Sequence, residues 1–327
     1  MDRDQFLDRW RAACRSDSLP EPKQNLLRLQ STSDVAREQQ TNDAFSDKWS
    51  AYEKSQDKEK WYQMQREWYL KLYGFEDENA LADFLRSKKF IFDAGCGLGY
   101  KAAWFARLAP ESLVVGMDFS DAVQLAAQSY ADLKNLFFAQ GDIANTAFLD
   151  GSIDYVNCDQ VIMHTQNPDQ TFAELARIVR PEGGQVACYF YSKKALPREL
   201  LDEYFRQHCT TMSKEKLWEM SEQLTLLGRR LADLNISFEA PDIPALGIKG
   251  GIYDLQRFIY WNFIKCYWNE DLGEETSVVT NYDWYSPSNA RRYSEDEIMK
   301  LLEENTLDSH CFHSEEACYS GRFIRRM

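Results

Sequence analysis

The residues best suited to chemistry lie together at Asp93-Ala94-Gly95-Cys96-Gly97-Leu98-Gly99, directly after the apolar run Phe90-Ile91-Phe92 and directly before a helical pattern. Glycine allows the sharp strand-to-helix turn and the close approach of a ligand to the main chain, and N–H groups at a helix start point at bound polar atoms. The pattern is GxGxG, and Tyr100 stands where a dinucleotide fingerprint has its third glycine. An aspartate two residues before the first glycine suits a ligand with a positive group better than a pyrophosphate. A tight turn with no ligand is the plain alternative. Two more acids sharpen the pattern: Asp118 closes the run LVVGMD and Asp142 closes LFFAQGD. A carboxylate can accept both hydroxyls of a ribose or the exocyclic amine of an adenine. Taken singly, each reads as a polar strand end. Together, at one edge of a parallel sheet, they describe a nucleoside site that needs no phosphates.

Such a site needs a sheet to hold it. From Phe90 to Tyr191 short apolar runs alternate with amphipathic stretches, the rhythm of parallel strands covered by helices on both faces. Residues 1–89 are polar and rich in Trp and Tyr, with a helix expected from Asp57 to Tyr73 and stopped by Gly74. After Tyr191 the rhythm breaks into helical patterns at Pro197–Gln207, Lys214–Leu234 and Tyr253–Trp268, around the Pro- and Gly-rich loop PDIPALGIKGG. Ser294 and Glu297 form a capping box that opens the helix EDEIMKLLEEN, and two strand-like runs, LDSHCFH and ACYSGRF, follow as a hairpin at a sheet edge. The expected architecture is α/β: a Rossmann-like core at 90–191 plus 281–327, an N-terminal helical lid at 1–89 and a helical cap at 192–280.

Composition narrows the partners. The 327 residues carry 38 Lys and Arg against 52 Asp and Glu, a net charge of −14, which repels phosphate backbones and anionic head groups. General nucleic-acid binding and membrane association are not expected. No run reaches the roughly 18 apolar residues of a membrane span, and the charged N-terminus suggests a soluble, cytoplasmic protein. The 8 cysteines are scattered without CxxC spacing, so reduced thiols are the default. The cluster His310, Cys311, His313 and Cys318 puts only Cys311 and His313 on one strand face, a poor tetrahedral set, and no metal is expected.

With these motifs in order, the chain resembles the class I S-adenosylmethionine-dependent methyltransferases. The resemblance rests on the glycine motif at 93–99, Asp118 in GMDFS, Asp142-Ile143 in QGDI, the strand YVNCDQVIMHTQNP, and RPEGG before QVACYFY. It implies S-adenosylmethionine as cofactor and S-adenosylhomocysteine as product. Asp93 and the turn Gly95-Cys96-Gly97-Leu98-Gly99 would hold the methionine part, Asp118 beside Phe119 the ribose, and Asp142 with Ile143 the adenine. A narrower similarity, to a bacterial-type methyltransferase-11-like subgroup with a DWYSP-like motif, rests on QTNDAFSDKW, DLQRFIYWNFIKCYW and NYDWYSPSNARRYS. It brings no substrate with it.

Methyl transfer from a sulfonium is an in-line displacement, so the enzyme mainly positions the acceptor, excludes water and removes a proton where one must leave. His164, just past a strand end, is the first candidate base, with packing before Pro168 as its alternative. Many relatives have a His pair where this chain has His164 alone. Asp159 could instead accept a hydrogen bond from substrate or cofactor, and Tyr189 and Tyr191 share a strand face and are candidates for the site mouth, with core or rim packing as the alternative. Asp283, Trp284 and Tyr285 are candidate pocket walls. Phe45, Lys48, Trp49 and Tyr52 form one helical face that could close over the cofactor, with Trp49 as its contact. Arg198, Arg257 and Lys265 either meet an anionic acceptor or decorate a solvated face. The expected function is methylation at O, N or C of a small organic molecule. The rivals are a non-catalytic binding or scaffolding protein on the same fold and, less favoured, an NAD-dependent oxidoreductase.

Overall fold

The computed structural model describes residues 1–15, 25–28, 40–41, 43–46 and 58–326. The chain divides into two compact units, the first made of Met1–Val35, Tyr62–Tyr191 and Arg291–Met327, the second of Ala36–Trp61 and Ser192–Ala290.

The first unit is built on one sheet. Its strands are β1 (Leu26–Arg28), β2 (Phe90–Ala94), β3 (Leu113–Asp118), β4 (Leu136–Gln140), β5 (Tyr155–Cys158), β6 (Gln185–Ser192), the short β9 (Arg292–Tyr293), β10 (Leu307–Ser314) and β11 (Cys318–Arg325), and the order is β1-β4-β3-β2-β5-β6-β11-β10 with β9 beside β6. Strands β1 to β6 are parallel, and β11 runs antiparallel to both β6 and β10. The terminal hairpin expected at an edge is therefore present, with its second strand inserted next to β6.

The alternation of strand side chains explains why both faces are apolar. Phe90, Phe92, Leu113, Val115 and Phe137 enter one core, which Phe6 and Trp10 of α1 (Arg3–Ala12), Phe172 and Leu175 of α6 (Pro168–Ile178) and Ile298 of α11 (Glu295–Glu304) complete. Ile91, Val114, Leu136 and Phe138 point the other way. They meet α2 (Lys58–Leu72), α3 (Glu78–Arg86), α4 (Tyr100–Leu108) and α5 (Ala122–Ser129). The extension expected at 1–89 is thus divided: Tyr69, Leu72, Leu81 and Leu85 belong to the second of these cores, while 36–61 falls in the other unit. The capping box at Ser294 and Glu297 is formed as expected.

The second unit contains α7 (Leu196–Cys209), α8 (Lys214–Asp233), the antiparallel pair β7 (Ser237–Ala240) and β8 (Gly251–Asp254), α9 (Leu255–Asn262) and α10 (Gly273–Tyr285). The helix expected from Tyr253 to Trp268 starts later and ends sooner, because Asp254 caps it by accepting from Arg257 N at 3.1 Å and β8 holds the residues before it. Helix α10 was not visible as a pattern. It packs on α8 through the Trp218–Tyr282 stack at 4.0 Å and the Asn281–Thr225 hydrogen bond, so the core resumes at Arg291 and not at 281. No helix among the described residues is long and apolar enough to cross a membrane.

Candidate functional site

Strands β2, β3 and β4 end at the same edge, and the turn after β2 is fastened there by its main chain. Gly95 N and Cys96 N both donate to Met117 O, at 2.7 and 3.0 Å, and Gly97 N donates to Asp118 Oδ2 at 2.7 Å. Gly95, Gly97 and Gly99 have φ of 81°, 52° and 74°, the left-handed region that side chains disfavour. A Cβ at Gly95 would lie 2.4 Å from Val161 Cγ1, and one at Gly99 2.7 Å from Phe138 Cε1. The glycines are needed for both backbone and space.

Asp118 also accepts from Ser120 N and Oγ at 2.8 and 2.6 Å, and its carbonyl receives Gly141 N at 3.0 Å. Burial raises its carboxyl above the ordinary value against those hydrogen bonds. Asp142 follows Gly141 directly and accepts from Ala144 N at 2.8 Å. Asp118, Asp142 and the Gly97 turn therefore occupy one crevice at the carboxyl ends of β2, β3 and β4, the place where open α/β sheets bind ligands. Cys96 and Ile143 are buried, Cys96 packing against Gly116, and Phe119 is half-buried.

Asp93 sits opposite Asn157 in the β2–β5 register and accepts from its Nδ2 at 2.7 Å. The second oxygen, Oδ2, is buried with no hydrogen-bond partner among the described residues. Burial lifts this carboxyl from 3.8 to about 6, in spite of Asn157 and the nearby Lys101. A buried, unsatisfied carboxylate oxygen is costly unless something arrives to donate to it. An ammonium group is the complementary donor.

Beneath this oxygen runs a polar network that sequence reasoning missed. Lys101 pairs with Asp159 Oδ2, Tyr73 Oη donates to Asp159 Oδ1 at 2.8 Å, and Gln160 Nε2 bridges Asp159 Oδ2 and Gln65 Oε1. Tyr69 Oη meets Tyr155 Oη at 2.6 Å and Asn157 Oδ1 at 3.0 Å. Burial opposes a charged Lys101, but the Asp159 carboxylate and the Tyr100 hydroxyl together outweigh it and hold the amine above its ordinary value. Asp159, expected as a catalytic acceptor, has both oxygens engaged inside the protein. Its partners Lys101 and Tyr73 tie β5 to α4 and to the turn after α2. The available signal was Asn157, a polar residue within a strand otherwise buried and apolar.

His164 ends a short 3-10 turn (Ile162–His164) beyond β5 and is buried, its ring edge-on to Tyr191 at 5.4 Å. Tyr191 stands edge-on to Tyr189 at 6.0 Å, and Tyr189 to Trp68 at 5.7 Å. Burial holds the Tyr189 phenol well above its usual range, so it stays protonated. Asp283, Trp284 and Tyr285 form the last turn of α10 in the second unit, where Tyr285 Oη donates to Asp202 Oδ1 at 3.1 Å. Trp49 lies outside the described residues.

A parallel sheet with an inserted antiparallel strand, a GxGxG turn and acids at the ends of β2, β3 and β4 define a Rossmann-like domain of the methyltransferase type. Residues 92–187 match the family model described as a methyltransferase domain. An uncharacterized methyltransferase of Schizosaccharomyces pombe is 33% identical over 114 residues, covering 32% of this chain and 41% of that protein. The trans-aconitate 2-methyltransferase of Deinococcus radiodurans is 34% identical over 93 residues, 28% of this chain and 34% of that one. The malonyl-[acyl-carrier protein] O-methyltransferase of Legionella pneumophila is 31% identical over 94 residues, 28% of this chain and 33% of that one. Residues 92–187 thus carry a methyltransferase domain, and S-adenosylmethionine is the cofactor that such a domain takes. The chain spans well under half the length of each of these relatives.

Proposed function

We propose that the whole protein methylates an oxygen, nitrogen or carbon of a small organic molecule. The observation that carries the reading is the open Asp93 Oδ2 beside a glycine turn whose Gly97 is tied to Asp118. In this reading Asp93 takes the ammonium of the methionine part, the Gly95–Gly99 main chain cradles it, Asp118 beside Phe119 receives the ribose hydroxyls, and Asp142 with Ile143 receives the adenine. When bound, the sulfonium supplies an electrophilic methyl carbon. The chain orients the acceptor and keeps water out, which by itself lowers the barrier by several kcal/mol. His164 takes the acceptor's proton where one must leave, Tyr191 orients its ring, and Tyr189 supplies an acceptor contact. Support for a small organic acceptor comes from the relatives named for trans-aconitate and malonyl-[acyl-carrier protein].

Calorimetry on the full chain with S-adenosylmethionine, S-adenosylhomocysteine and NAD tests the cofactor site. The first two are expected to bind, and binding of NAD alone overturns the reading. Incubating cell extracts with labelled methyl donor then identifies the acceptor. With that acceptor, His164→Ala should keep cofactor affinity and lose about a hundredfold or more in turnover; unchanged turnover removes His164 as the base.

A further inference from the structure

One side of α8 is packed inside the second unit. Trp218 stacks on Tyr282 at 4.0 Å, Asn281 Nδ2 donates to Thr225 Oγ1 at 2.8 Å, and a Cβ on Gly228 would stand 2.2 Å from Cys266 O, so Leu217, Ser221, Thr225 and Gly228 are closed over. The side next to it is apolar and open. Met220, which Cys209 of α7 touches, is followed by Leu224, Leu227, Leu231 and Leu234 at intervals of 4, 3, 4 and 3 residues. That is the spacing of a coiled-coil seam. Leu227 is 41% exposed, Leu226 beside it 52%, and Leu234, at the end of the helix, 55%. Leucines repeated along such a seam lose their water only when another helix lies on them.

A second line of residues identifies that helix. Along the outer flank of the seam, at intervals of 3, 4, 3, 4 and 3 residues, run Lys216, Glu219, Gln223, Leu226, Arg230 and Asp233, all exposed. Their signs read plus, minus, two uncharged positions, plus, minus. Read from the other end they are minus, plus, two uncharged positions, minus, plus. Every charge is inverted, so the flank complements an antiparallel copy of itself.

Seam and flank agree on the register. A two-fold axis midway between Thr225 and Leu226 sets Leu224 on the partner's Leu227 and Met220 on the partner's Leu231. The same axis brings Lys216 to the partner's Asp233 and Glu219 to the partner's Arg230, each offset by two residues. Two residues are about 3 Å of helix, which a lysine or arginine side chain spans. Gln223 Nε2 donates to Glu219 Oε1 at 3.1 Å and holds that carboxylate along the flank.

We propose that this face of α8 pairs with the same face of a second copy of the chain, antiparallel about a two-fold axis, so that the protein is a homodimer through its second unit. Such an interface is isologous and closes on itself. The seam is about 21 Å long, which puts the buried area at the low end of stable interfaces, so the dissociation constant should fall in about the micromolar to tens-of-micromolar range. The assignment rests on the second unit alone and is independent of the methyl-transfer reading.

Sedimentation equilibrium of the full chain over about 1 to 300 μM tests it. The mass should rise with concentration from 38.2 kDa towards twice that value. Leu227→Glu, which sets a charge into the seam, should raise the dissociation constant at least about tenfold. Arg230→Glu opposes like charges twice across the axis and should raise it about fivefold, and Glu219→Arg added to Arg230→Glu should restore the original value. These three side chains are exposed, and the charge-swap arm stays decisive if Leu227→Glu proves unstable. A monomer throughout, a dimer indifferent to Leu227→Glu or to Arg230→Glu, or a double variant that does not regain what Arg230→Glu loses overturns the proposal.

Discussion

Replacing Asp93 by Asn should make the ligand-free protein more stable and cofactor binding weaker. In the folded chain the carboxyl is raised from 3.8 to about 6, so the folded state holds its proton more tightly than the unfolded state does. Stability from this group is full below pH 4 and is lost as pH rises to 6, since between those values the folded state binds more protons. At about 1.4 kcal/mol per pKa unit, the charged Asp93 costs the empty fold roughly 3 kcal/mol at pH 7.5. Asn keeps an acceptor for Asn157 Nδ2, so Asp93→Asn should regain about 1–3 kcal/mol there and near zero at pH 4. Urea unfolding at both pH values measures the difference. The loss of a charge-assisted hydrogen bond to an ammonium should weaken S-adenosylmethionine by roughly 10- to 100-fold. A destabilised variant at pH 7.5, or a gain equal at both pH values, refutes the reasoning.

Three further outcomes follow from the same site. Lys101→Met should destabilise the protein by about 3–5 kcal/mol, because it strands a buried Asp159 carboxylate, and Lys101→Met with Asp159→Leu should recover much of that loss in the same unfolding assay. Gly95→Ala should lower the thermal midpoint and abolish calorimetric cofactor binding, since its Cβ meets Val161 at 2.4 Å at a φ of 81°; Val161→Ala would relieve the clash and leave the backbone strain. Asp118→Ala removes the acceptor of Gly97 N and of Ser120, and calorimetry should register a loss of at least about tenfold in cofactor affinity.

The crevice was legible in the sequence because its parts are local. A turn with three positive φ angles requires glycine wherever it occurs, and an acid closing an apolar run marks a strand end whatever the rest of the fold does. The parallel order followed from the alternation of runs, and the capped helix from Ser294 and Glu297. What could not be read were elements fixed by distant partners. Strand β1 is three residues long and exists because Leu26, Leu27 and Arg28 pair with Phe138, Ala139 and Gln140. Helix α10 has its buried residues distributed around its circumference, from Thr276 and Ser277 to Trp284 and Tyr285, so no one-sided stripe announces it.

Buried charge was the other blind spot, and it has one cause. A lysine or arginine on a helix reads as solvated until the partner that removes its water is known. Lys101 belongs to α4, where every residue from Tyr100 to Ala106 is buried, and its counter-ion Asp159 stands 58 positions away. Arg198 has its counter-ion one turn on, at Asp202, yet what buries the pair arrives from Tyr260 and Trp284. The same reasoning separates two kinds of buried charge here. Lys101 and Asp159 satisfy each other and define a fixed scaffold, whereas Asp93 Oδ2 is left without a hydrogen-bond partner among the described residues. A charge that the fold completes is structural; a charge that the fold leaves incomplete, at a stability cost it could have avoided with an amide or a methionine, marks where a ligand of opposite sign belongs.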